Sequence, residues 1–332
     1  MQRWSIDPND PNWRQSPVAA AVCEALLAGN LVGVPTETVY GLAADATNGR
    51  ACAAIYAAKG RPRFNPLISH LESLDAARRH GVFDARAHAL AQAFWPGPLT
   101  LVVPKAAGSP ICDLVTAGLD TVALRVPAAP VMRFLAERTG RPLAAPSANL
   151  SGRISATTAD DVIRDLGDAV AFVIDAGPCP IGIESTIVGL AGAEPVLLRP
   201  GGIAREAIER VLGRPLAAAQ TEQADAPQAP GMLTSHYAPN ATVRLAATEV
   251  ASGEALLAFG PTPPAGVERA VATVNLSPTG DLAEAAATLF SALRRLDASG
   301  AATICVQPIP DGGLGEAIND RLRRAAAPRH GC

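Results

Sequence analysis

The sequence predicts an α/β fold: a twisted mixed sheet with helices on both faces, followed by a smaller Rossmann-like domain. Short apolar runs typical of buried strands alternate with helical patterns along the chain. Several connections are too short for parallel crossovers, so antiparallel pairs are expected in the same sheet. A stretch rich in Ala, Gln, Asp and Pro, residues 216–230, has no apolar periodicity and separates two halves.

Local signals place the elements of the first half. Ser16 and Pro17 suit the N-cap and first turn of a helix that stops at Gly29, and Asn48 suits the cap of a helix that ends near Gly60. A further helix, 158–166, begins with a threonine and an aspartate at capping-box spacing. The predicted strands are 31–35, 66–71, 99–104, 121–127 and 171–175, and the other predicted helices are 130–139 and 205–212.

The second half repeats the alternation on a smaller scale. Its predicted strands are 243–245, 256–259, 271–276 and 303–307, and its predicted helices are 281–296 and 315–324. It contains no G-x-G-x-x-G, so dinucleotide binding is not predicted there. We expect a catalytic domain at 1–215, a linker or lid at 216–240 and a C-terminal domain at 241–332.

Composition excludes several classes of protein. The 332 residues favour two domains, and the net charge of −3 argues against a protein held on nucleic acid by electrostatics. The six cysteines form no C-x-x-C pair, so neither a zinc site nor a disulfide framework is predicted. No apolar run resembles a signal peptide or a membrane span, so we expect a soluble, cytoplasmic protein.

Residues 59–70 (KGRPRFNPLISH) contain the most informative motif. Two prolines keep this segment out of helix and sheet, which leaves a loop that carries Lys59, Arg61 and Arg63. A planar guanidinium group can donate two hydrogen bonds to phosphate oxygens at once, so the loop suits a polyphosphate ligand. The alternative is a solvated basic turn.

Two further features combine polar side chains with buried strands. Thr36, Glu37, Thr38 and Tyr40 follow the strand at 31–35, and they either line a site or form a capped turn. Arg125 lies in an apolar strand, where an unpaired guanidinium is costly. Either a structural carboxylate or a ligand carboxylate must pair with it.

Small and polar loops recur after other predicted strands. Residues 144–155 bring small hydroxyl and amide residues after a strand, and residues 182–188 have the same character. Residues 198–203 place Arg199 in a Pro/Gly turn, and His70 ends the strand after the basic loop. Each loop alone suits a cap or turn, but five together predict one anion-binding site. G-x-x-x-x-G-K-[ST] is absent, so a P-loop is not predicted.

In their order along the chain, these motifs resemble those of the YrdC family of threonylcarbamoyl-AMP synthases. The resemblance runs over residues 7–212, and the segments 230–239 (PGMLTSHYAP) and 313–321 (GLGEAINDR) resemble the long, two-domain members. The motifs of the first domain are 35–42 (PTETVYGL), 59–70, 95–100 (WPGPLT), 145–149 (APSAN), 182–186 (GIEST) and 198–201 (LRPG).

The resemblance implies a YrdC-like sheet around a concave site and a nucleotidyltransferase. Its substrates would be L-threonine, bicarbonate and ATP, and its products threonylcarbamoyl-AMP and pyrophosphate, which serve the threonylcarbamoylation of tRNA adenosine 37. Motif by motif, the threonine contacts would be Thr36, His70, Arg125, Ala145 and Ser185. The ATP contacts would be Arg61, Asn65, Thr121, Ser147, Ser155, Arg199, His236 and Tyr237. Lys59, Arg61 and Arg125 would be the catalytic cations, with Arg63 as a helper.

The remaining expectations concern the metal, the partners and the alternatives. Mg²⁺ would come with ATP, held mainly by phosphates and water, with no protein metal site. A downstream tRNA threonylcarbamoyl transferase complex would take the product, and weak contact with tRNA is an open possibility. One alternative is an RNA-binding module without chemistry, and another is carbamoyl transfer, although this chain lacks the zinc-finger and acylphosphatase segments of such enzymes.

Overall fold

A computed structural model of the chain describes residues 1–62, 64–219 and 235–328. Within these residues the chain forms an eleven-stranded mixed sheet and a separate four-stranded parallel sheet. The predicted fold class is confirmed, including the mixture of parallel and antiparallel pairs.

The large sheet has the order β1-β8-β2-β3-β7-β4-β6-β5-β9-β10-β11. Its strands are β1 (Gln2–Ser5), β2 (Val32–Val34), β3 (Gly41–Asp45), β4 (Ile68–His70), β5 (Leu99–Pro104), β6 (Thr121–Arg125), β7 (Leu143–Ala144), β8 (Phe172–Asp175), β9 (Thr186–Gly189), β10 (Val196–Arg199) and β11 (Ala217–Ala218). The helices of this part of the chain are α1 (Pro17–Leu27), α2 (Gly49–Lys59), α3 (Leu74–Arg78), α4 (Ala85–Phe94), α5 (Asp113–Thr116), α6 (Pro130–Thr139), α7 (Ala159–Leu166) and α8 (Arg205–Leu212).

The predicted helix caps are present. The Ser16 side chain accepts a hydrogen bond from the Val18 amide, and Asn48 accepts from the amides of Arg50 and Ala51. Gly60 ends α2 with φ +60°, a left-handed conformation that glycine adopts without a Cβ penalty. These contacts are local, so the residue types alone determine where the helices begin and end.

The large sheet is buried on both faces. Neighbouring residues of one strand contribute to different apolar clusters: Leu42 and Ala44 pack in one cluster, and Ala43 packs in another with α1 and α6. Successive side chains of a strand point to opposite faces, so the two clusters lie on opposite sides of the sheet. Helices on both faces are therefore confirmed.

The structure adds elements that the sequence analysis lacks and changes one of its assignments. β1, α3 and α4 were not predicted, and α4 contributes mainly alanines to the core. Arg199 was placed in a turn, but it is the last residue of β10, because Val196 and Leu197 pair with β9 and extend the sheet to it. β11, within the predicted linker, pairs with β10.

The C-terminal part of the chain forms the small sheet with the order β12-β15-β13-β14. The strands are β12 (Thr242–Arg244), β13 (Ala255–Ala258), β14 (Ala272–Asn275) and β15 (Thr303–Val306), and the helices are α9 (Leu282–Asp297) and α10 (Leu314–Ala326). Among the described residues, no helix is both long and apolar enough to cross a bilayer.

The start of α7 offers a test of the local signals. The Thr158 hydroxyl accepts from the Asp161 amide, and the Asp161 carboxylate accepts from the Thr158 amide, so both halves of the predicted capping box are formed. We expect Thr158→Ala to lower the free energy of unfolding by about 1 kcal/mol, measured by urea denaturation. Thr158→Ser keeps the hydroxyl and should lose much less; equal losses would contradict the capping role.

Candidate active site

One cavity collects most of the residues singled out in the sequence. Ile68 and His70 of β4 and Arg125 of β6 line it, and His70 and Arg125 are register partners. Side chains two residues apart share a face, so the cavity lies against a face of the sheet rather than along its edge. The predicted site residues that line it are Thr36, Arg61, His70, Arg125, Ala145, Ser147, Ser185, Arg199, His236 and Tyr237.

Arg125 is paired inside the protein. Its Nη2 donates to Glu37 Oε1 at 2.6 Å, and its Nη1 donates to the Thr38 hydroxyl at 3.0 Å. The other Glu37 oxygen accepts from the Ala129 amide at 3.1 Å. Burial alone would raise the pKa of Glu37, but the charge and hydrogen bond of Arg125, together with the amides of Ala129 and Ala128, outweigh it and the pKa is lowered. Of the two alternatives left open by the sequence, a structural carboxylate is the one observed.

Arg61 has a different environment. It is 8% exposed, and it donates to the carbonyl oxygens of Asn65 at 3.3 Å and Pro66 at 2.9 Å. Within the described part of the chain no carboxylate forms an ion pair with it. Burial, and then the charge of Arg199, lower the pKa of Arg61 to about 10, although Tyr56 opposes the shift. A buried cation held only by neutral carbonyls favours an anionic ligand.

Arg199 is fixed against the segment that carries Ser185. Its Nε and Nη2 donate to the Ser185 carbonyl at 3.2 and 2.9 Å, and the Ser185 hydroxyl lies 2.8 Å from that of Thr100. A Cβ on Gly201 would lie 2.4 Å from the Glu184 carbonyl oxygen. Only glycine permits this approach, which explains the glycine that follows Arg199-Pro200.

The two cavity histidines are buried and neutral. Burial, followed by the charge of Arg125, lowers the pKa of His70 to about 3. Burial is also the main reason that the pKa of His236 is lowered to about 3. His236 packs edge-on against Tyr237, whose ring stacks on Phe290 of α9.

Four predicted site residues do not line the cavity. The Lys59 ammonium donates to the carbonyls of Ser147 and Asn149, so it supports the loop that presents Ser147. Asn65 and Ser155 are buried nearby, and Ser155 donates to Glu184 at 2.5 Å. Thr121 begins β6, at the far end of the strand from Arg125. Their roles as substrate contacts stay predictions.

Parts of two predictions lie outside the described residues. Arg63, the predicted helper, is one, and residues 220–234 of the predicted lid are the other. The described end of that segment does reach the site, since His236 and Tyr237 both line the cavity.

Two charged residues of the site were given no role in the sequence analysis. Glu184 lines the cavity, and it accepts from Arg321 Nε at 3.0 Å. Arg321 belongs to α10 of the C-terminal part, 137 positions away in the chain. Glu184 lies within the motif 182–186 (GIEST), but nothing local in the sequence indicates that Arg321 is its partner.

Comparisons with known proteins identify the relatives of this architecture. Residues 24–201 match the model of the family formed by Sua5, YciO and YrdC, described as telomere recombination. The chain belongs to this family. Residues 203–327 match a second model, described as the C-terminal domain of threonylcarbamoyl-AMP synthase.

Individual relatives in this family are similar over nearly the whole chain. Threonylcarbamoyl-AMP synthase of Bacillus subtilis is 39% identical, with 99% of this chain and 98% of the relative covered. The enzyme of the same name from Pyrococcus abyssi is 41% identical over 91% and 92%. The crystal structure of P. abyssi Sua5 complexed with L-threonine superposes with a TM-score of 0.88, 35% identity and 98% of each chain covered.

The neutral histidines predict how stability depends on pH. Unfolded histidine has a pKa of about 6.5 and binds a proton below that pH, whereas folded His70 does so only near pH 3. The contribution of neutral His70 to the free energy of unfolding is therefore fully present above pH 6.5, and it is lost as the pH falls below that value. We expect the difference in the free energy of unfolding between wild type and His70→Gln to be about 1 kcal/mol smaller at pH 5.5 than at pH 7, measured by urea denaturation.

Partly exposed His88 of α4 provides the matched control. The gap between His88→Gln and wild type should change much less over the same range. A gap for His70→Gln that is constant with pH would show that His70 takes up its proton in the folded protein.

Proposed function

We propose that this protein is an L-threonylcarbamoyladenylate synthase, a nucleotidyltransferase. It combines L-threonine, bicarbonate and ATP into threonylcarbamoyl-AMP, pyrophosphate and water, the water being released when the threonine amine and bicarbonate form the carbamate. The product then serves a transferase that modifies adenosine 37 of tRNA. Two relatives that cover nearly the whole chain are threonylcarbamoyl-AMP synthases, which supports this reaction, as does the L-threonine bound to the P. abyssi structure.

The observation that carries the proposal is the convergence of Arg61, Arg125 and Arg199 on one cavity. The reactants are a triphosphate, an amino-acid carboxylate and bicarbonate or the carbamate made from it, so they repel one another in water. Guanidinium groups in a buried site offset that repulsion more strongly than they would in bulk solvent. Arg61 is assigned to the polyphosphate because it is buried and forms no ion pair with the described residues, whereas Arg125 is paired with Glu37.

The threonine end of the cavity differs in character. Arg125 is already neutralised by Glu37, so it offers directed N–H groups rather than an uncompensated charge. Thr36 is held by its own bonds to Val39 and Thr38, and neutral His70 lies beside Arg125. A zwitterionic amino acid suits this end better than a polyanion does, because its own two charges nearly cancel.

The proposed chemistry needs position and charge rather than a covalent enzyme nucleophile. A carbamate oxygen attacks the α-phosphorus of ATP, the bond from that phosphorus to the bridging oxygen of the β-phosphate breaks, and pyrophosphate leaves. The two histidines are neutral, so neither is an imidazolium acid that could protonate the carbamate at neutral pH. Nucleotidyl transfer of this kind depends mainly on alignment and on stabilisation of the phosphate charge.

Mg²⁺ would reach the site as part of the ATP substrate. Within the described residues, no group of three His, Cys, Asp or Glu side chains could hold a metal ion. Phosphate oxygens and water are therefore the ligands that we propose for it, with the arginines sharing the neutralisation of charge.

The cavity also suits exclusion of water. Its free volume is about 40 Å³, room for very few water molecules, and His236 and Tyr237 form part of its wall. ATP is much larger, so the wall must move to admit it. We propose that the segment of His236 and Tyr237 opens for the substrates and closes over the labile carbamate.

The reaction is tested by following pyrophosphate release from ATP. We expect release that requires both L-threonine and bicarbonate. For Arg61→Met we expect ATP affinity to fall about 30-fold, the equivalent of roughly 2 kcal/mol for one charged hydrogen-bonding group, with L-threonine affinity nearly unchanged. Titration calorimetry measures both affinities.

Arg50→Met is the matched control, because Arg50 is exposed and lies on α2, which ends beside Arg61. It should leave both affinities unchanged. Pyrophosphate release that is indifferent to L-threonine would contradict the proposed reaction. Equal losses of ATP and threonine affinity in Arg61→Met would contradict the assignment of Arg61 to the polyphosphate.

A further inference from the structure

The C-terminal domain places one fully buried charge directly behind the wall of the cavity. Arg321 of α10 is 0% exposed. Its Nε donates to Glu184 Oε2 at 3.0 Å, and its Nη1 donates to the Pro200 carbonyl at 2.6 Å and to Asp320 Oδ2 at 3.0 Å. Its guanidinium carbon also lies 5.4 Å from the centroid of the Tyr237 ring.

These contacts join three segments that form the site. Glu184 precedes Ser185, Pro200 follows Arg199, and Tyr237 belongs to the segment that enters the C-terminal domain. A single side chain from α10 therefore touches three of the segments that bring groups to the cavity. A cation over an aromatic face adds to the attraction, because the ring face carries partial negative charge.

The contact between Arg321 and Glu184 also has an electrostatic effect, because Glu184 is an acidic residue of the cavity. It lines the cavity with the three arginines, and its second oxygen accepts from the Ser155 hydroxyl at 2.5 Å. Burial would raise the pKa of Glu184, but the charges of Arg321 and then Arg199 outweigh burial, so the pKa is lowered and the carboxylate is ionised. Without compensation, this negative charge would repel a polyphosphate.

Arg321 is the main charge that offsets Glu184. Asp320 pairs with both Arg321 and Arg324, so two arginines of α10 face two carboxylates. The next cation that acts on Glu184 is Arg199, which lines the cavity. If Arg321 were lost, Arg199 would be the main cation left to offset Glu184, and the attraction of the cavity for a polyanion would fall.

We propose that Arg321 is a positioning residue through which the C-terminal domain makes the nucleotide end of the cavity receptive to a polyphosphate. It acts by neutralising Glu184 and by holding the Pro200 turn and Tyr237 in place, and it does not touch the substrate. The inference rests on the proposed function in taking ATP as the ligand. It gives the C-terminal domain a role in substrate binding.

Arg321 could instead act only through packing. A double-mutant cycle distinguishes that role from charge compensation, because the two predict different ATP affinities for the double variant. Arg321→Met removes the charge and keeps much of the length, leaving Glu184 buried and unpaired. Glu184→Gln removes the opposing charge and keeps the shape. If charge compensation matters, the second change should repair ATP binding in the first variant, whereas it cannot restore lost packing.

The test is titration calorimetry of the full chain with ATP and, separately, with L-threonine. We expect Arg321→Met to weaken ATP binding about 10- to 100-fold, the range of losing one buried charge pair, and to change threonine binding less than threefold. The double variant Arg321→Met/Glu184→Gln should regain ATP affinity to within about fivefold of wild type. Arg323 lies on the same helix with its side chain 59% exposed, so Arg323→Met should bind ATP as wild type does.

Arg321→Lys keeps the experiment decisive if Arg321→Met does not fold. Lysine retains the charge, so ATP affinity should stay within about fivefold of wild type, and a larger loss would overturn the proposal. A double variant that binds ATP as weakly as Arg321→Met would also overturn it, as would wild-type affinity in Arg321→Met. Failure of the wild-type protein to bind ATP would instead overturn the proposed function.

Discussion

The structure depends on keeping several guanidinium groups charged in a place from which water is largely excluded. Arg61, Arg125 and Arg199 are each at most 8% exposed, and all three line one cavity. Burying a cation is costly, and burying three close together adds their mutual repulsion. The surrounding fold is arranged to offset this cost in part, through directed carbonyl oxygens and two buried carboxylates.

The way the cost is offset differs from one arginine to the next, and this difference gives the cavity two ends. Glu37 neutralises Arg125 directly, whereas neutral carbonyls hold Arg61. The uncompensated charge therefore lies toward Arg61, where a polyanion would gain most. In this account an anionic substrate completes an electrostatic arrangement that the protein alone leaves unfinished.

The C-terminal domain belongs to the same arrangement. Glu184 faces the cavity from the loop that precedes β9, and its main compensating charge comes from α10. A glycine also allows the two parts of the chain to approach closely. A Cβ on Gly182, which has φ +74°, would lie 2.5 Å from the carbonyl oxygen of Ala286 in α9. The C-terminal domain thus supports the site from behind, because Arg321 of α10 contacts Glu184 and Tyr237 of the cavity wall.

Much of this was predictable because its causes are local. The caps of α1, α2 and α7 follow from residue types within four positions, and the short connections between strand-like runs predicted the mixed sheet. The three arginines converge as the motifs predicted. What escaped prediction depends on distant pairs, such as Arg125 with Glu37 and Arg321 with Glu184, 88 and 137 positions apart. Helix α4 escaped because its buried face consists largely of alanine, which gives a weak apolar pattern.

The most direct test of the central claim is a crystal structure with a non-hydrolysable ATP analogue and L-threonine. The account predicts phosphate oxygens within about 3 Å of the Arg61 and Arg199 guanidinium nitrogens, and the threonine at the end of the cavity near Arg125 and His70. Phosphates bound elsewhere on the protein, with Arg61 still held only by the carbonyls of Asn65 and Pro66, would contradict it.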